Sequence, residues 1–180
     1  RDLHVRSRRQ RQMCIRDRLQ SLGWSYVEGA KLSPDESDER SSLKDVVLEK
    51  RLTTSLKRIN PWINDENLRK VIRELTKTLY PNLIEANQGI WTKINQCISV
   101  MQDLGKGNKG QTVHIIDFEH PENNEFLCTN QFKVSGVNQN IIPDILCFVN
   151  GLPLAVIECK SPFITNPMEA GIKQLLRYAN

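Results

Sequence analysis

The chain holds no apolar run of membrane-span length and no secretory signal pattern, so neither a spanning helix nor an export leader is written in it. Its five cysteines, Cys14, Cys97, Cys128, Cys147 and Cys159, form no Cys-x-x-Cys pair and no metal spacing. Cys147 and Cys159 sit in apolar runs and read as buried thiols. That fits a cytoplasmic location, with a disulfide as the other reading. His4, His114 and His120 also fall at no metal-ligand spacing. Gly105-Lys106-Gly107-Asn108-Lys109-Gly110 has the glycines of a phosphate loop. It lacks the closing Gly-Lys-Ser/Thr and a preceding apolar strand, and so reads as a connection. Aromatics are only 6% of residues, and Trp62 and Trp91 read as core rather than base-stacking platforms. There is no internal repeat.

What is present is one domain's worth of chain: 180 residues, 39% hydrophobic and 26% charged. The net charge of +4 suggests a polyanionic partner, but its placement weakens the case. Residues 1–18 hold seven Arg against two Asp, a net of +5; the rest holds 18 basic and 19 acidic side chains, a net of −1. Any nucleic-acid patch in the body of the domain must therefore be local. Residues 1–18 show no apolar stripe of useful length. Residues 6–18 resemble the translation of an adapter sequence, so the segment is expected to be non-native or disordered, and dispensable. A basic DNA-binding arm is the alternative.

One stretch concentrates the chemistry. Residues 141–149 and 152–157 are two runs rich in Ile, Val, Leu and Phe, joined by Asn150-Gly151, a strong hairpin signal. Pro143-Asp144 stands early in the first run, and Glu158-Cys159-Lys160 closes the second. Charge in the apolar heart of a sheet is costly unless it is paired or binds a metal. Two carboxylates brought together favour a divalent cation, and oxygen ligands suit magnesium. Lys160 follows Glu158 by two and so shares its strand face. The bland alternatives are a turn-capping Asp144 and an exposed Glu158–Lys160 ion pair.

The hairpin cannot be a simple two-residue one if these groups act together. Val149 pairing with Leu152 makes pair numbers sum to 301, which sets Asp144 opposite Ile157 and turns Glu158 to the other face. A shared metal needs an even sum. A bulge or longer loop is expected, involving Pro153, which has no N–H for the ladder.

These residues resemble the PD-(D/E)xK nuclease motif. Leu22-Gly23-Trp24, Ile116-Asp117-Phe118, Pro121, Asn124, Phe126, Phe148-Val149-Asn150-Gly151-Leu152-Pro153-Leu154 and Val156-Ile157 surround it. Their order is similar to that in the N-terminal nuclease domain of the restriction (R) subunit of type I restriction enzymes. The resemblance covers residues 19–180 as a PD-(D/E)xK endonuclease domain, a fragment of a longer R subunit. It implies a restriction-endonuclease-like α/β fold, a mixed sheet flanked by helices. It implies Asp144, Glu158 and Lys160 as catalytic residues, with Asp144 and Glu158 as Mg²⁺ ligands and a backbone carbonyl near Cys159 as a further one. Gln174 and Tyr178, as a Gln-x-x-x-Tyr element, are implied to contact DNA or position Lys160. Lys173 and Arg177 share that spacing, and phosphate contact and a solvated face stay open for them. Asp117, Pro121 and Asn124 read as structural. The family opens with a helix bearing an acidic residue near the site, which the sequence before Leu19 does not supply. Implied partners are double-stranded DNA and the methyltransferase and specificity subunits, with ATP used by motor domains of the full-length subunit. The alternatives are a stand-alone PD-(D/E)xK repair or junction nuclease, and a catalytically decayed DNA-binding or docking module.

Elsewhere the patterning predicts a helix ending near Trp24 and a solvated, mobile loop over residues 29–40. A helix over residues 43–59 is opened by Ser42-x-x-Asp45. Further helices follow Asn64 or Asp65 (core Leu68, Val71, Ile72, Leu75, Leu79) and Pro81 (Leu83, Ile84, Ile90, Trp91, Ile94). Strands are expected over residues 112–118 and 125–134, and a last helix begins with Pro167 after a capping Thr165 or Asn166. The order gives a mixed sheet of about four strands.

Overall fold

The computed structural model describes residues 2–77, 82–136, 139–161 and 164–178. The chain is α/β. Helices α1 (Asp2–Ser21), α2 (Glu49–Ile59), α3 (Asp65–Thr76), α4 (Leu83–Gln96) and α5 (Pro167–Tyr178) surround strands β1 (Ser25–Tyr26), β2 (Ile98–Asp103), β3 (Asn108–Val113), β4 (Phe126–Asn130), β5 (Val134–Ser135), β6 (Asn140–Ile141), β7 (Ile145–Val149) and β8 (Leu152–Ile157). The main sheet has the order β1-β4-β7-β8, with β1 parallel to β4 and the other pairs antiparallel. Strands β2 and β3 form a separate hairpin, as do β5 and β6.

Each face of the sheet is covered by what its side chains demand. Leu127, Leu146 and Phe148 pack with Leu32, Leu48 and Phe132. Cys128, Ile145 and Cys147 meet Ile15 and Leu19 of α1. A larger cluster joins Leu52 and Leu56 of α2, Leu68, Val71, Ile72 and Leu75 of α3, and Ile98, Val100 and Val113 of the β2–β3 hairpin. Helix α3 begins where Asn64 Oδ1 accepts the Asn67 N–H at 2.8 Å, satisfying an orphan donor of the first turn. Helix α5 begins at Pro167. Leu79 and Pro81 lie outside the described residues.

Several expectations are corrected. Residues 1–18 were expected to be non-native or disordered; Asp2–Ser21 is a helix, which corrects the expected disorder and leaves the likeness of residues 6–18 to adapter translation as it stood. The helix's inward positions are Arg8, Gln12, Ile15 and Leu19, spaced four, three and four: a helical stripe whose first half is polar and which an apolar count misses. Residues 29–40 are a solvated loop only in part: Asp35, Glu36 and Asp38 are exposed, but both ends are tied down. Gly29–Leu32 is a 3₁₀ turn, and the buried Arg40 guanidinium donates to Leu32 O at 2.9 Å and Lys133 O at 2.8 Å. The same group lies 4.0 Å over the Phe132 ring, which ties the segment to the sheet.

Helix α2 starts at Glu49, not at residue 43. The Ser42 N–H bonds Asp45 Oδ2 at 2.9 Å within a turn, and Leu48 is held by its N–H to Gly151 O at 2.9 Å. The strand expected over residues 112–118 ends at Val113, because Asn60 captures the His114 backbone: its Oδ1 accepts the N–H and its Nδ2 donates to the carbonyl. Trp91 is 65% exposed and not core, while Trp62 is partly buried against the cluster of α2, α3 and the β2–β3 hairpin.

Asn124 and Asn150, both buried, form a polar joint with the half-buried Asp117. Asn150 Nδ2 donates to Ile115 O (2.9 Å) and Asn124 Oδ1 (2.8 Å), and its Oδ1 accepts the Glu125 N–H (2.8 Å). Asn124 Oδ1 also accepts the Asp117 N–H at 2.9 Å. The joint fixes the turn of the β7–β8 hairpin against β4.

Candidate active site

Asn150 and Gly151 both take positive φ, 53° and 83°, as a tight hairpin turn with the sheet's twist requires. From this turn the register runs Val149↔Leu152 and Phe148↔Pro153, then shifts to Cys147↔Ala155, Leu146↔Val156 and Ile145↔Ile157. The pair sum changes from 301 to 302 at the bulge, and Leu154 is the extra residue. The irregularity lies at Pro153 as expected. Carried one step further, the even register sets Asp144 against Glu158.

The two carboxylates do converge. Asp144 is fully buried, and the Glu158 side chain is 3% exposed. The Cys159 N–H donates to Asp144 Oδ2 at 2.7 Å, so the end of β8 orients the carboxylate of β7. Lys160 Nζ lies 3.7 Å from Glu158 Oε2. Gln174, from α5, bridges the pair: its Oε1 accepts from Lys160 Nζ, and its Nε2 donates to Glu158 Oε2 at 2.6 Å. A neutral amide thus holds an acid and a base in one orientation without neutralising either. Tyr178 closes α5 one turn beyond Gln174, and its side chain lies outside the described residues. Lys173 is paired with Glu169 at 2.6 Å on the exposed face of α5.

Two site residues were not legible beforehand. Arg8 Nη2 donates to Asp144 Oδ1 and lies 4.0 Å from Glu158 Oε2; its Nε donates to Asp144 Oδ2 at 3.1 Å. Gln12 Nε2 donates to Asp144 Oδ1 at 2.7 Å. The Arg8 pKa is raised, chiefly by the hydrogen bond to Asp144. The Cys159 thiol is pushed up by burial and then by Asp144. The four-residue spacing of Arg8 and Gln12, in line with Ile15 and Leu19, was the available signal.

Two clefts flank the carboxylates. One of about 740 Å³ is lined by Arg8, Arg9, Gln12, Arg16, Asn130 and Gln131. The other, of about 370 Å³, is lined by Glu158, Lys160, Pro167, Gly171, Ile172 and Leu175. A hard divalent cation fits the donor set, since one cationic nitrogen already lies near oxygens of both carboxylates. Among the described residues no group of three or more His, Cys, Asp or Glu stands together, so the carboxylate ligands of such a cation would be Asp144 and Glu158.

The family described as "Type I restriction enzyme R protein N terminus" matches residues 7–180. The type I restriction enzyme HindI endonuclease subunit of Haemophilus influenzae is 35% identical over 147 residues, 81% of this chain and 14% of that one. The MjaIXP protein of Methanocaldococcus jannaschii, whose name carries the same type I restriction endonuclease subunit designation, is 35% identical over 148 residues, again 81% and 14% of the two chains. The chain therefore spans about one seventh of the length of these relatives. With the match running over nearly its whole length, the chain belongs to the family of type I restriction enzyme R protein N-terminal regions.

Proposed function

We propose that the chain is the Mg²⁺-dependent PD-(D/E)xK endonuclease domain of a type I restriction R subunit, hydrolysing phosphodiester bonds of double-stranded DNA. The observation that carries this is the bulged register, which turns Asp144 and Glu158 toward one cationic group beside Lys160. Asp144 and Glu158 would hold the ion, which when bound supplies Lewis-acid stabilisation of the scissile phosphate and a water of lowered pKa. The Cys159 N–H fixes the Asp144 carboxylate, and a cation would take the oxygen positions that Arg8 and Gln12 contact here. Gln174 holds Lys160 beside Glu158, where the ammonium orients the attacking water and stabilises charge developing on phosphate oxygens. The domain makes no sequence choice in this scheme; that belongs to the specificity subunit, and ATP-driven movement to motor domains elsewhere in the subunit.

The test is cleavage by the assembled restriction complex containing this chain. Asp144→Ala, Glu158→Ala and Lys160→Ala should each abolish DNA cleavage while ATP hydrolysis survives. Normal cleavage by the Glu158 variant at saturating Mg²⁺ refutes the assignment. A docking module without cleavage is the second reading. It is favoured by one observation, the Arg8 guanidinium on the Asp144 carboxylate. An inactive unmutated chain with intact DNA binding would support it.

A further inference from the structure

The β2–β3 hairpin brings together two soft-metal ligands that stand 17 residues apart in the chain. Its register pairs Ile98 with Val113, so Cys97 and His114 are the next facing positions, at the open end of the ladder. Cys97 Sγ lies 3.5 Å from His114 Nδ1. The carboxylate pair belongs to the other hairpin, β7–β8, and uses neither residue.

Both ligands are held by the fold behind them. Asn60, fully buried, accepts the His114 N–H on Oδ1 at 2.9 Å and donates from Nδ2 to the His114 carbonyl at 2.8 Å. Cys97 ends α4 with φ at 63°. That region suits glycine and strains any side chain, yet the position carries a thiol.

The separation is that of two ligands on one ion. Zinc takes thiolate at about 2.3 Å and imidazole at about 2.0–2.1 Å, in a tetrahedron, which sets sulfur and nitrogen about 3.6 Å apart. A thiol–imidazole hydrogen bond spans a similar distance, and the ion would take its place. Thiolate and imidazole select zinc and its soft neighbours over magnesium. His114 is exposed and Cys97 half-buried, so an ion can enter from solvent. Binding replaces the thiol proton, which leaves to solvent, and two positions stay open for water.

We propose that Cys97 and His114 form a two-ligand site for a soft divalent ion of the zinc class, separate from Asp144 and Glu158. An ion held there ties the end of α4 to the end of β3.

The test is titration of the reduced 180-residue chain with CoCl₂, a coloured stand-in for zinc, and then with ZnCl₂. A thiolate-to-cobalt charge-transfer band should appear, saturate at one ion per chain and vanish as ZnCl₂ displaces the cobalt. The band reports thiolate alone, so cobalt on the carboxylates adds nothing to it. Changes around a metal ligand cost about 10–100-fold in affinity, so losing a ligand, by Cys97→Ser or His114→Gln, should weaken binding about tenfold or more. Cys14→Ser, which removes the exposed cysteine of α1, should leave the band unchanged. No band, a band of full affinity in either the Cys97 or the His114 variant, or a band lost in Cys14→Ser overturns the site. A second measurement uses only the unaltered chain and so does not depend on a variant folding. ZnCl₂ should slow alkylation of Cys97 by iodoacetamide, read by peptide mass spectrometry, and MgCl₂ should not. Alkylation of Cys97 at the same rate with and without ZnCl₂ overturns the site.

Discussion

The bulge at Leu154 invites a test by chain length rather than by side chain. Without it, a ladder starting at Val149↔Leu152 keeps a pair sum of 301 and sets Asp144 against Ile157; with it, the sum is 302 and Asp144 meets Glu158. Deleting Leu154 restores a regular ladder in which Pro153 is followed by Ala155. Cys147 still pairs with Ala155 and Asp144 still faces Glu158. Inserting one residue after Ala155 does the opposite. It moves Glu158 about 3.3 Å along the strand and turns it to the other face of the sheet, with Lys160 following.

The deletion removes a residue that is 44% exposed on an edge strand, so it should cost about 1 kcal/mol of stability. It should keep Mg²⁺ binding within about threefold, roughly 0.7 kcal/mol. The insertion should lower Mg²⁺-dependent DNA cleavage about 10²–10³-fold, the order lost when one positioned group is removed from the reacting charge. Circular dichroism establishes folding, calorimetric titration reads Mg²⁺ binding, and plasmid nicking by the assembled complex reads cleavage. A folded deletion variant as inactive as the insertion would refute the parity reasoning, as would an insertion variant that cuts normally.

Two further outcomes follow from contacts already described. Gln174→Leu removes the amide that joins Lys160 to Glu158, and should reduce cleavage about 10–100-fold with melting temperature little changed; a variant that keeps full cleavage rate removes Gln174 from the site. The Cys147 thiol is pushed up to about 11 by burial, above its ordinary value near 9. The folded state then holds a proton that the unfolded chain releases between those values, so Cys147 makes stability fall as pH rises from about 9 to about 11. Chemical denaturation across that range should show a shallower fall in Cys147→Ala, and an identical slope would refute the shift.

The sequence by itself determined the hairpin and its partners. Asn150-Gly151 between two apolar runs fixes a local turn whose geometry depends on those two residues alone. The odd register it imposes forces a bulge if the carboxylates are to meet. Helix starts at Asn64 and Pro167 were equally local, set by a capping side chain and a fixed φ. Longer-range choices were not legible. Leu48 could have continued a helix back to residue 43, but its N–H is taken by Gly151, about a hundred residues away. Residues 114–118 kept a strand-like pattern, but Asn60 captures the backbone at His114. Arg40 reads as a solvated charge until the sheet supplies Phe132 and two carbonyls to receive it. The same holds at the site. Spacing along β8 and α5 places Glu158, Lys160 and Gln174, whereas the contact of Arg8 and Gln12 with Asp144 crosses more than 130 residues. Only the packing of Ile15 and Leu19 on the sheet brings it about, because a polar half-stripe has no hydrophobic period of its own to announce which way it faces.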